Sequence, residues 1–220
     1  WERNSSDERL RITVSAYTHQ PHGTAQATAQ VTPYVVWFDE LGREIGTVVA
    51  GASTRVLDTF NSYPSPNALA PLGGRVTDEG GKTWVDVIPG FIRDSYQDGV
   101  ARPEDPDASR NLSVIDYGSA DATVAATFAT EPKGTQKQAL VLRLSDENNY
   151  VRATRTALEK VVAGTVTTLV TYASPVVDGD RLTVRVTGSN YTVWRNNTQV
   201  GTVTDSFNSS ATKFGIVVED

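Results

Sequence analysis

Residues 140–153 read LVLRLSDENNYVRA. An apolar run with leucine at every second position leads to Ser145, and four acid or amide residues follow from Asp146 to Asn149. Tyr150 then opens a second alternating run. A period of two marks a strand, because successive side chains leave a pleated backbone on opposite faces. The stretch predicts a β-hairpin, with Leu140, Leu142 and Leu144 on one face and Ala139, Val141, Arg143 and Ser145 on the other. Asn148 or Asn149 is expected to take the left-handed conformation that tight turns require. The oxygens of the turn also suit a calcium loop or the rim of a sugar site, and Arg143 is placed to pair with Asp146 or Glu147 across it.

The same texture extends in both directions. RLTVRVTG (181–188) sets Leu182, Val184 and Val186 against Thr183, Arg185 and Thr187, and Ala122, Val124, Ala126 and Phe128 share one side of their strand. Further runs are LSVIDYG, NYVRATRTALEKVV, TVTTLVTYAS, NYTVWRNN, TQVGTVTD and KFGIVVED. Turn residues separate them, among them Gly118, Gly164, Gly179, Gly188 and the Asn196–Asn197 pair. Short strands at close spacing without a helical period predict an all-β, antiparallel sandwich. Each strand is expected to be covered on one face and polar on the other.

Upstream, LRITVSAY, VTPYVVWF and EIGTVVAG are three further strand candidates. Three strands do not close a sandwich. Residues 1–56 are therefore expected to be a short β segment, the end of an upstream module, and residues 57–220 the main domain.

Composition narrows the chemistry. The chain has 220 residues, a net charge of −6, no cysteine and no methionine. Disulfides and thiolate metal sites are excluded. An acidic chain without a basic stripe is not expected to bind nucleic acid, and no apolar run is long enough for membrane insertion. No leader is visible, and the absence of methionine suggests that Trp1 is not a natural start. His19 and His22 stand in a Pro/Gly loop that reads as solvated. Five Asn-x-Ser/Thr triplets, at Asn4, Asn111, Asn190, Asn196 and Asn208, read as a product of composition.

The order of motifs resembles a known family. DTF (58–60) and KTW (82–84) come first, followed by YGSADATVAATF, LVLRLSDENNYVRA, LEKVVAGTVTTL, GDRLTVRVTGSNYTVWRNNTQVGTVTDS and TKFGIVV. In this order they resemble the concanavalin A-like, laminin-G-like jelly-roll domains, over roughly the whole stretch from Leu57 onward. The texture is similar to modules in tail proteins of phages of actinobacteria, and to accessory domains of secreted bacterial glycosidases. ITVSAY…VVWFDELGREIGTV resembles part of a sugar-binding sandwich in the same tail proteins. The resemblance implies a jelly roll in a virion tail or an extracellular setting, with cell-surface glycan, other tail subunits or a second copy of the chain as partners. A purely structural virion module and a glycosidase accessory domain stay open as alternatives.

Catalysis is not expected. The glucanase branch of that superfamily uses Glu-x-Asp-x-x-Glu, and no such string occurs here. Sugar binding needs an aromatic plate and planar polar groups. One candidate constellation is Arg143, Tyr150, Arg152 and Arg185 on an outer face with Asn149 at its rim. The other is Trp194 with Asn196 and Asn197 at a hairpin tip, where Trp194 reads either as a platform or as core. No cofactor is expected; the calcium candidates are the turn at Ser145–Asn149, the acidic turn Asp178–Asp180, and Asp58 with Asp205 if the first and last strands pair, and all three read more simply as turns and caps.

Overall fold

The computed structural model describes residues 2–3, 10–13, 34–38, 44–49, 55–60, 69–94, 100–105, 109–128 and 137–219. His19, His22 and Asn4 lie outside them. Packing divides the chain into Trp1–Arg55 and Val56–Asp220. The first unit contributes β1 (Glu2–Arg3), β2 (Leu10–Thr13), β3 (Tyr34–Phe38) and β4 (Glu44–Val49), an antiparallel meander in that order.

The second unit is all β among the described residues. Its strands are β5 (Leu69–Pro71), β6 (Val85–Ile88), β7 (Phe91–Asp94), β8 (Val100–Pro103), β9 (Arg110–Asp116), β10 (Ala122–Thr127) and β11 (Lys137–Asp146). They continue as β12 (Asn149–Ala153), β13 (Ala157–Val162), β14 (Thr165–Thr171), β15 (Arg181–Thr187), β16 (Asn190–Arg195), β17 (Thr198–Thr204) and β18 (Lys213–Glu219). One sheet has seven strands in the order β14-β13-β12-β11-β18-β9-β6, a second has four in the order β10-β15-β16-β17, and β5-β7-β8 form a third. The chain crosses repeatedly between the two larger sheets. β10 and β15 are neighbours in one sheet although β11 to β14 intervene in the other, and β18 returns between β11 and β9. That is an antiparallel sandwich of jelly-roll type.

The core between the sheets follows the alternation. Leu140, Leu142, Val151 and Leu158 from the larger sheet meet Leu182, Val184, Val186, Tyr191 and Val193 from the smaller. Phe128 and Phe214 close it. The predicted run 149–162 is two strands, not one. Thr154 turns the chain: its hydroxyl accepts the amide N–H of Ala157 at 3.1 Å and donates to the Ala157 carbonyl at 3.0 Å. At the start of this unit Leu57 makes an isolated antiparallel bridge to Glu79.

Two expectations about the outer face fail. The larger sheet is not open on its second side, where Leu112, Val114, Ala139, Val141, Leu144, Tyr150, Val161 and Val217 form another buried cluster. Leu144 also lies on the opposite face from Leu140 and Leu142. The cause is a bulge: the register of β11 shifts between Leu142 and Asp146 against β12, and between Val141 and Leu144 against β18. Arg143 takes the extra step with φ 51°. A bulge adds one residue to one strand and reverses the facing of everything after it. Neither Asn148 nor Asn149 is left-handed; the positive φ falls on Arg143 instead.

Candidate functional site

Arg143 is fully buried and points toward the smaller sheet. Its Nε donates to the Ala120 carbonyl at 3.0 Å, Nη2 to the Gly188 carbonyl at 2.6 Å and Nη1 to the Tyr191 hydroxyl at 3.3 Å. Its acid partner is Asp121 rather than Asp146 or Glu147. The inward bulge converts a candidate sugar ligand into a clamp on the loops before β10 and after β15.

Tyr150 and Arg152 do face away from the smaller sheet, as expected, but both are buried. The Tyr150 hydroxyl donates to Glu219 at 2.8 Å and accepts from Arg110 at 2.9 Å. Arg152 bridges Glu219 and Glu159, the latter at 2.7 Å. Burial, reinforced by the neighbouring Glu219 carboxylate, pushes the Tyr150 phenol up to about 12. Glu219 went unrecognised as a partner because its strand lies far along the chain, whereas Glu159 stands directly opposite Arg152 on the neighbouring strand β13. The charges inside the cluster are mutually compensated, which is what burial demands.

Asn149 is a structural clip. Its amide donates to Asp146 at 2.9 Å, its side-chain oxygen accepts from the Ala163 N–H at 3.0 Å, and its carbonyl accepts from Asn208 at 3.0 Å. The Asn149 amide, helped by the Asn148 N–H, holds the Asp146 carboxyl below its ordinary range. Asn196 is occupied in the same way. It donates to Asp180 at 2.8 Å and accepts from the Arg181 N–H at 2.9 Å, while Asp180 also receives Arg195 and the Val177 N–H. It sits at φ 53° in the turn, a conformation asparagine tolerates.

Asp58 and Asp205 enter separate ion pairs. Asp58 receives Arg75 at 2.7 Å, the Trp84 indole N–H at 2.8 Å and the Phe60 N–H at 2.8 Å. Asp205 receives Lys160 at 2.7 Å and the Phe207 N–H at 2.8 Å. The strand pairing expected to join them does not form. The last strand, β18, pairs with β11 and β9. Among the described residues no group of three or more potential metal ligands gathers. The Asp58–Trp84 bond gives the DTF and KTW motifs a physical meaning: the carboxylate ties the loop to the core tryptophan.

The structure brings two of the candidates, Arg185 and Trp194, to one surface. Trp194 pairs with Thr183, and Thr183 is outward on β15 with Arg181, Arg185 and Thr187. Trp194 therefore leaves the strand opposite to the buried Tyr191 and Val193 and sits half-buried on the outer face of the four-stranded sheet. Arg181 and Arg185 are both exposed and occupy the two diagonal positions around it, about 7–8 Å away along the sheet. Thr192 follows on the same strand face, and Gln199 stands opposite on β17 beside a bulge at Val200. Among the described residues, neither the Trp194 indole N–H nor the Arg181 and Arg185 guanidinium groups have a hydrogen-bond or ion-pair partner. Arg181 was missed in the sequence reading, although the alternation that selects Arg185 selects it equally.

No family model matches the chain, and no curated protein matches it. Among solved structures it is similar to the carbohydrate binding module CBM66 from Bacillus subtilis, at 20% identity and a TM-score of 0.49, over 62% of this chain and 88% of that one. It is also similar to sheep galectin-11 in complex with glycerol, at 14% identity and a TM-score of 0.30, over 44% of this chain and 78% of that one. At this distance no residue or ligand is transferred from either.

Proposed function

We propose that the Val56–Asp220 unit is a non-catalytic glycan-binding module that lays a saccharide on the outer face of the β10-β15-β16-β17 sheet. The observation that carries the reading is Trp194. A partly exposed indole stands on a largely polar sheet face, with an N–H that bonds to no protein group among the described residues. Such a ring covers the C–H face of a pyranose, and neighbouring hydroxyl and planar polar groups meet the sugar hydroxyls. Thr183, Thr192 and Gln199 supply those groups around the ring. The non-catalytic part is supported by the acids themselves. Hydrolysis needs two carboxylates facing a scissile bond, whereas Glu159 and Glu219 are both engaged by Arg152 within a buried cluster.

The motif order and its resemblance to tail-protein modules support a place on a phage tail or fibre, with host cell-surface glycan as ligand and neighbouring tail subunits as partners. A glycan array probed with the whole chain, wild type and Trp194→Ala, tests the site. Binding by the wild type and at least a tenfold loss in the variant are expected. Equal binding by both would remove the site, and no binding to any saccharide would remove the function.

A further inference from the structure

The glycan-binding reading leaves the chemistry of the glycan open, and the charges of the outer face narrow it. The chain carries a net charge of −6. On the outer face of the β10-β15-β16-β17 sheet the sign reverses. The outward residues of β15 are Arg181, Thr183, Arg185 and Thr187, and those of its neighbours are threonines, Ala125, Asn190, Trp194 and Gln199. No aspartate or glutamate is among them. The acids flanking the strand ends have cations of their own: Asp121 pairs with Arg143, Asp180 with Arg195 and Asp205 with Lys160.

We infer, resting on the glycan-binding reading, that this face takes an anionic glycan, one bearing carboxylate or phosphate groups on either side of the ring that stacks on Trp194. The register sets this geometry. Thr183 lies directly opposite Trp194, so Arg181 and Arg185 flank the indole along the strand, one on each diagonal. Four steps of strand set the two arginine backbones roughly 13 Å apart, a span that brackets one pyranose and the substituents of its neighbours. Guanidinium groups bind carboxylate and phosphate through paired N–H donors, and these two have no acid partner among the described residues. A neutral sugar would leave both cations idle.

The test uses the whole 220-residue chain and matched polymers. Polygalacturonate is compared with its methyl ester, and phosphorylated dextran with dextran, by titration of tryptophan fluorescence at low and high sodium chloride. The expected result is at least tenfold tighter binding of an anionic polymer than of its neutral partner, lost at high salt. The two anionic arms distinguish carboxylate from phosphate as the source of charge. Arg181→Gln and Arg185→Gln should each weaken anionic binding about tenfold, the scale of a charge-assisted hydrogen bond, and together bring it to the neutral level. Melting temperature should not change, since both side chains are exposed. Trp194→Ala should weaken every saccharide. Equal binding of neutral and anionic polymers, or arginine variants that keep full affinity, would overturn the inference while leaving glycan binding intact. Tight binding of poly(glutamate), which has no sugar ring, would also overturn it. Failure of every polymer to bind would overturn the inference, and the glycan-binding reading falls with it only if the glycan array is blank as well.

Discussion

Replacing Arg143 with alanine should destabilise the second unit without touching the ligand face. The guanidinium is fully buried and donates to two carbonyls and the Tyr191 hydroxyl. Its ring contact with Tyr191, at 5.5 Å, is also lost. Asp121 adds little, because its side chain is 53% exposed and screened by water. The Ala120 and Gly188 carbonyls lie near the surface and regain water, but the Tyr191 hydroxyl is buried and does not. The expected cost is therefore about 3 kcal/mol, the lower end for removing one member of a buried charged network. For a unit of this size that corresponds to roughly 6–12 °C in Tm. The backbone provides an internal control. At φ 51° alanine keeps the left-handed strain that glycine relieves, so Arg143→Gly should be more stable than Arg143→Ala by about 1 kcal/mol. Urea unfolding read by tryptophan fluorescence measures both. An alanine variant within about 1 kcal/mol of wild type, or a glycine variant less stable than the alanine one, would refute the clamp.

Three further outcomes are expected. Asp58→Asn should cost about 2 kcal/mol, because Arg75 keeps Asp78 as its acid partner but loses its charge-assisted bonds to Asp58, and the Trp84 indole faces an uncharged group in a site only 3% exposed; thermal melts check this, and a rise in wild-type Tm with millimolar calcium would revive a metal role for this residue. Gly215→Ala should cost roughly 3 kcal/mol or prevent folding, since a Cβ there would lie 2.7 Å from Val114 Cα and collide with the Ser113 carbonyl, both backbone atoms of β9; a variant with wild-type Tm would contradict the close approach. Stability should fall as pH rises from 10 toward 12. Tyr150 ionises at about 12 in the fold against an ordinary 10.0, so the unfolded chain releases its proton first; the Tyr150 contribution is complete below pH 10 and is lost through that window. Phenolate absorbance should lag behind that of free tyrosine until the circular dichroism changes, and titration of every tyrosine near 10 in the folded protein would count against it.

Much of the sandwich was legible because its evidence is local. Alternation at Leu182, Val184 and Val186 needs only the pleat of one strand, and the structure places all three in the core. The turns at Gly118, Gly164, Gly179 and Gly188 were legible for the same kind of reason: each glycine has a positive φ that other residues take at a cost. The candidate site was legible only in pieces. Alternation put Arg185 outward, but it left the side of Trp194 undecided and passed over Arg181.

The remainder was settled by contacts between residues far apart in the chain. One extra residue at Arg143 reversed the facing of Leu144 and turned the arginine inward, and no local pattern announces a bulge. Tyr150 and Arg152 were placed on the expected side, yet Glu219, 69 and 67 residues away, draws them into a buried cluster. The sequence by itself determined most of the strands, the glycine turns and the all-β class, because these follow from backbone geometry within a few residues. Only the tertiary structure decided which polar groups are spent on one another and which face a ligand, because a hydrogen bond is committed by whatever partner folding brings within reach.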